Sequence, residues 1–202
     1  KVEFNDFELN INQTAKSAEE GKYEEAIEHL KRINKNDSSY CSSLISQSFY
    51  LLKLKKNKEA IKIIDQVLEN ECSNNKLSYY LNKAVALSNL EKYNEVISIY
   101  EKALLEFPKN KKLWHSKGVT LEKLGRKKEA VEAYKTAIII NPNYKLPHLQ
   151  LGNICYKEGK IAQALMCFNM YILLEPDAEG VIEVLKSLNN IVASKNENIP
   201  DE

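Results

Sequence analysis

The chain has 202 residues, 44% hydrophobic and 28% charged, which is the balance of one folded domain or two small ones. Twenty-nine basic residues against 28 acidic ones leave a formal charge of +1, and 27 of the basic residues are Lys and 2 are Arg. A surface built to hold a phosphate backbone would be clearly basic and richer in the forked Arg side chain, so nucleic acid is not an expected partner. No apolar run approaches the roughly 18 residues of a membrane span, and no basic stretch followed by an apolar one opens the chain as a secretory leader. Beginning at Lys1 rather than Met, the sequence reads as a segment of a longer protein.

One interval organises most of the chain. Pro108, Pro142 and Pro176 lie 34 residues apart, and the same spacing separates Gly118 from Gly152, Gly125 from Gly159, and Ala130 from Ala164. In chain order, residues 1–6 extend a first helix, and residues 7–40 form a degenerate first copy of the repeat. Its second half carries Gly21, Tyr23, Ala26, Leu30 and Ile33, whereas Asn10, Gln13 and Ser17 fill columns that are apolar elsewhere. Residues 41–74 carry Leu44, Ser48, Leu51, Ala60, Ile64 and Val67, with Cys72 near the place of the proline, and two extra residues around Asn75 come next. Residues 77–110 (Tyr80, Ala84, Leu87, Val96, Tyr100, Pro108), 111–144 (Trp114, Gly118, Leu121, Ala130, Tyr134, Pro142) and 145–178 (His148, Leu151, Gly152, Cys155, Ala164, Phe168, Pro176) are the clear copies.

The columns have a physical reading. Small residues at Thr14, Ser48, Ala84, Gly118 and Gly152 let two antiparallel helices approach, while Tyr100, Tyr134 and Phe168 fill the space between neighbouring hairpins. Gly21, Gly125 and Gly159 fall where a first helix must stop, and each Pro comes after a second helix that it prevents from continuing. Ten helices in five pairs are expected. After Pro176, Val181, Val184, Leu185, Leu188, Ile191 and Val192 keep helical spacing, with Asp177 placed to cap that helix. A helix over 179–194 would cover the open apolar face of the last hairpin, and residues 195–202 would form a flexible polar tail.

These residues resemble the tetratricopeptide repeat, whose pattern W-x2-L-G-x2-Y…A-x3-F…P is met at Trp114, Gly118, Leu121, Ala130, Tyr134 and Pro142, with Lys117 departing at the Leu position. The resemblance covers residues 7–178 and implies an all-α fold, an α-solenoid of five helical pairs plus the C-terminal capping helix. It further implies a non-catalytic scaffold that holds a partner protein or peptide in a concave groove lined by the first helix of each pair. The implied groove positions are Ile45, Phe49 and Leu52, then Leu81 and Val85, then His115 and Val119, then Leu149, Asn153 and Tyr156, with Ile11, Ala15 and Ala18 preceding them and Phe4 and Phe7 extending the same face. The family branch that clamps terminal carboxylates of chaperone tails uses Lys and Asn at these columns. Here they read Ile11, Ile45, Leu81, His115, Leu149 and Ala15, Phe49, Val85, Val119, Asn153, so that clamp is not assembled. Self-association through end faces within a larger complex, and a targeting domain attached to an enzyme, are the alternatives.

Nothing in the sequence points to catalysis, a cofactor or a metal: Walker-type, Gly-x-Gly-x-x-Gly, His-Glu-x-x-His and Gly-x-Ser-x-Gly motifs are all missing. His29, His115 and His148 are scattered, and His148 shares a column with Trp114 and Tyr80, which suggests packing. Cys41, Cys72, Cys155 and Cys167 make no Cys-x-x-Cys pair, and three of the four fall on apolar columns, so free thiols in a reducing, cytoplasmic setting are expected. Finally, Lys22, Lys56, Lys92, Arg126 and Lys160 place a cation at every turn between paired helices. They would either favour the end of the first helix dipole or meet an acidic surface.

Overall fold

The computed structural model describes the backbone of residues 3–69, 76–176 and 180–196. The expectations placed on the side chains of Phe4, Phe7, Ile191 and Val192, on Cys72, Asn75 and Asp177, and on the tail beyond residue 196 lie outside the described residues. Among the described residues eleven helices succeed one another: α1 (Glu3–Glu19), α2 (Tyr23–Lys31), α3 (Tyr40–Lys53), α4 (Asn57–Glu69), α5 (Lys76–Asn89), α6 (Tyr93–Glu106), α7 (Lys111–Lys123), α8 (Lys127–Ile140), α9 (Lys145–Lys157), α10 (Ile161–Leu174) and α11 (Val181–Asn196). No strand occurs among the described residues. The first ten helices pack as five sequential hairpins. The chain divides into two compact units, Lys1–Phe107 and Pro108–Glu202. In the first, α2 packs on α3, and α5 packs on both α3 and α4; in the second, α8 packs on α9 and α11 on α10.

All five hairpins turn by one device. The second residue after the first helix is left-handed at Gly21 (φ 74°), Lys55 (59°), Glu91 (58°), Gly125 (71°) and Gly159 (69°). Its N–H donates to the carbonyl three residues back, as Gly125 does to Glu122, and the next N–H reaches five back, as Lys22 does to Ser17, Lys56 to Leu51 and Arg126 to Leu121. Two of the carbonyls that a helix end leaves open are satisfied in this way. Glycine adopts that backbone freely, whereas Lys55 and Glu91 hold it against their Cβ atoms. Lys55→Gly and Glu91→Gly are each expected to raise the stability of the first unit by about 0.5–1 kcal/mol, after allowance for the extra freedom of glycine in the unfolded chain. Urea denaturation checks this; a loss of stability at either site would contradict the shared turn.

The five turn cations are paired locally: Lys22 with Glu20 at 2.8 Å, Lys56 with Glu24 at 3.6 Å, Lys92 with Glu95 at 2.8 Å, Arg126 with Glu129 at 2.7 Å and Lys160 with Glu158 at 2.9 Å. Each has a carboxylate partner, Glu158 being shared with Lys127, so the row is not a bare basic stripe.

In the core, Thr14 and Leu30, Ser48 and Ile64, Ala84 and Tyr100, Gly118 and Tyr134, Gly152 and Phe168 occupy the same two positions of successive hairpins, and all are buried. The two larger first members, Thr14 and Ser48, share their hairpins with aliphatic side chains, and the three smaller ones, Ala84, Gly118 and Gly152, with aromatic rings. A Cβ added at Gly118 or Gly152 would lie 2.5 Å from a ring carbon of Tyr134 or Phe168. The polar residues of α1 do not prevent a helix: Asn10, Thr14 and Ser17 are buried, and the Thr14 hydroxyl donates to the Asn10 carbonyl at 2.7 Å.

A second device holds the proline turns of the second unit. The Trp114 indole N–H donates to the Pro108 carbonyl at 2.8 Å, and one period later His148 Nε2 meets the Pro142 carbonyl at 2.9 Å. A carbonyl only accepts, so His148 carries its proton on Nε2 there. Beyond α10, Val181 and Val184 join Ala164, Phe168 and Tyr171 in one cluster, with Leu188 packed against it. Leu185, expected on that face, is instead turned outward and exposed.

The expectation of free cysteines is corrected at Cys41, which is disulfide-bonded, its partner sulfur lying outside the described residues. Cys155 and Cys167 are free. Cys41 sits in the first turn of α3, at the end of its hairpin rather than within a buried column, where a second sulfur can approach it. The cysteines therefore give no support to a reducing compartment.

Candidate functional site

In the first unit α3 and α5 lie side by side, and both are first helices of their hairpins. Ile45, Ser46, Phe49 and Tyr50 from α3, with Ser78, Leu81 and Asn82 from α5, line an open depression of about 270 Å³. Three of the positions marked in the sequence, Ile45, Phe49 and Leu81, thus meet in one place. Phe49 is 45% exposed, an unusual state for a large aromatic side chain, and Val85 on the same stripe of α5 is 46% exposed. Leu52 packs instead against the cluster of Ile27, Leu51 and Ala60.

The polar residues of the depression were not evident from the apolar stripe. Asn82 Nδ2 donates to Ser48 Oγ at 2.9 Å and to the Ile45 carbonyl at 3.4 Å, which ties α5 to α3. Its own carbonyl oxygen has no partner among the described residues. Tyr50 meets Phe49 edge-on with ring centres 5.6 Å apart and stacks on Tyr23 of α2 at 5.7 Å, so Phe49 rests on a fixed aromatic support. Burial pushes the Tyr50 hydroxyl above its ordinary pKa, with Tyr23 adding to the shift. The Lys53 ammonium stands 5.3 Å from the centre of the Phe49 ring.

The corresponding positions of the second unit are engaged differently. His115 lies against the rings of Tyr134 and Tyr144, with centres 5.8 and 5.5 Å away, and its Nε2 is buried without a hydrogen-bond partner among the described residues. Val119 and Asn153 are half-buried. Leu149 and Tyr156 pack against the cluster formed by α10 and α11. Glu122 accepts a short hydrogen bond from the Tyr134 hydroxyl.

Burial holds the His115 pKa below its ordinary value. The unfolded chain therefore takes up the proton first, and the unit loses stability as pH falls through about 6.5 toward the folded value. The groups facing the imidazole are the uncharged phenols of Tyr134 and Tyr144, behind which lie Glu122 on the first and Lys111, 5.3 Å over the ring of the second. His115→Phe is expected to flatten the decline in urea midpoint between pH 7.5 and pH 5.5. An unchanged slope would mean that His115 protonates freely in the fold.

Among the described residues no group of three or more His, Cys, Asp and Glu side chains is placed to hold a metal ion, and no helix is long and apolar enough to cross a membrane. Residues 77–110 and 112–144 match the tetratricopeptide-repeat family. Over these residues the chain carries tetratricopeptide repeats. No curated protein matches the chain in sequence. Among solved structures it is similar to MamA from Desulfovibrio magneticus RS-1, residue 41 to the end, at 19% identity and a TM-score of 0.70, over 86% of this chain and 97% of that one. A double mutant of MamA RS-1 gives 19% identity and a TM-score of 0.71 over 87% and 97% of the two chains. A further crystal structure of MamA gives 16% and 0.68 over 85% and 92%. At these identities the likeness is one of fold.

Proposed function

We propose that this chain is a non-catalytic protein-interaction module whose α3–α5 depression takes apolar side chains of a partner polypeptide. The observation that carries the reading is Phe49: a large aromatic, half-exposed, supported from beneath by Tyr50 and flanked by Ile45 and Leu81 in one depression. An apolar surface that is rigid and wet gives up its water to a partner's aliphatic or aromatic anchor. Each well-buried anchor contributes about 1.5–3 kcal/mol, so two or three supply about 3–9 kcal/mol toward holding a segment, before the losses of association. The half-exposed Val85 extends the surface along α5, and the Asn82 oxygen, without a partner among the described residues, offers an acceptor for a partner's backbone N–H.

The test is Phe49→Glu combined with Leu81→Glu. Both side chains stand outside the core, so the far-ultraviolet circular dichroism spectrum is expected to stay as it is while partner capture by the chain is lost. Capture that survives the double substitution at wild-type level would place the contact surface elsewhere.

A further inference from the structure

The depression itself is lined by uncharged residues, but its edge is not electrically neutral. Neither α3 nor α5 carries an Asp or Glu; their charged residues are Lys53, Lys76 and Lys83. Lys76 is taken up by Glu106 at 3.0 Å and Lys83 by Asp65 at 2.7 Å. Lys53 makes no ion pair among the described residues. Its ammonium is held over the ring of Phe49, which forms one wall of the depression.

We propose that the occupant is an extended partner segment in which an apolar anchor has an Asp or Glu one or two residues away, read by Lys53; this rests on the groove reading above. Successive residues of an extended chain advance about 3.3 Å, so a side chain one or two positions from an anchor seated on Phe49 comes within reach of an ammonium 5.3 Å from that ring. There the lysine exchanges a weak contact with the aromatic face for a charge-assisted hydrogen bond. A Lys or Arg at the same place would face an unneutralised cation, with no carboxylate on either helix to receive it. The anchor supplies affinity, and Lys53 supplies the choice between acidic and basic neighbours.

A random dodecapeptide library displayed on phage and panned at low ionic strength against the wild-type, Phe49→Glu and Lys53→Glu chains tests this. Peptides retained by the wild type are expected to carry an aliphatic or aromatic residue with Asp or Glu within two positions, about threefold or more above library frequency, as a solvent-accessible ion pair allows. Lys53→Glu should retain the same anchors with Lys or Arg in those positions, and Phe49→Glu should retain neither set. Anchors without acidic enrichment, or an acidic preference unchanged in Lys53→Glu, overturn the role of Lys53 and leave the groove reading standing. Retention unaffected by Phe49→Glu, or no enrichment on the wild type, overturns both.

Discussion

Gly152→Ala lowers the stability of the second unit by about 1–3 kcal/mol, the range for forcing extra volume into a packed interior. In an exposed helix the same change would stabilise by nearly 1 kcal/mol, so the sign of the effect is itself the test. The added Cβ would stand 2.5 Å from Cδ1 and Cε1 of Phe168, which is fully buried and packed among Ala164, Tyr171, Val181 and Val184. The ring cannot retreat into water, and any shift passes to α11. Trimming the obstacle should relieve the strain: Gly152→Ala with Phe168→Leu is expected to lose less than the sum of the two single changes. Urea denaturation monitored by circular dichroism and by Trp114, the only tryptophan, measures each corner of the cycle. A neutral or stabilising Gly152→Ala would show that α9 and α10 are not in close contact at this point.

Tyr134→Ala should cost about 3–5 kcal/mol, as for other large aromatics removed from a core. The side chain is fully buried, its ring fills the space that Gly118 leaves open, and it supports the imidazole of His115. Its hydroxyl donates to Glu122; burial, then that carboxylate, push the phenol far above its ordinary pKa, so it stays a donor throughout the accessible pH range. Tyr134→Phe keeps the ring and removes only this bond, and a loss near 1 kcal/mol is expected because Glu122 remains in reach of water. Comparable losses for the two variants would mean that the hydroxyl, rather than the ring, holds the hairpin.

The helical hairpins were legible because their constraints are local and repeat. Gly118 and Gly152 stand where an aromatic presses, and Gly125 and Gly159 where the chain turns, so residue type and position agree. Lys55 and Glu91 make the same turn without glycine; only their place in the period reveals it. Leu185 matched a helical stripe too broad to fix which edge faces inward, and packing on α10 chose Val181, Val184 and Leu188 instead. The candidate site was legible to the extent that a stripe on one helix can show it: Ile45 and Phe49 on α3, Leu81 on α5. Tyr50, Ser78 and Asn82 belong to a depression between two helices, and a one-helix pattern holds no information about that second wall. Leu52, Leu149 and Tyr156 lie on their stripes but are drawn into neighbouring clusters.

The match between small and large members of the hairpins has a consequence for how the chain finds its shape. Near-identical segments in tandem invite a helix to dock on the wrong neighbour. Exchange between an aliphatic-bearing and a ring-bearing hairpin is disfavoured on size: the glycine of α9 against Ile64 would leave a hollow, and the serine of α3 against Phe168 would collide. The aliphatic-bearing and ring-bearing hairpins are thus keyed apart, and exchange between the two kinds is discouraged by differences of a few atoms.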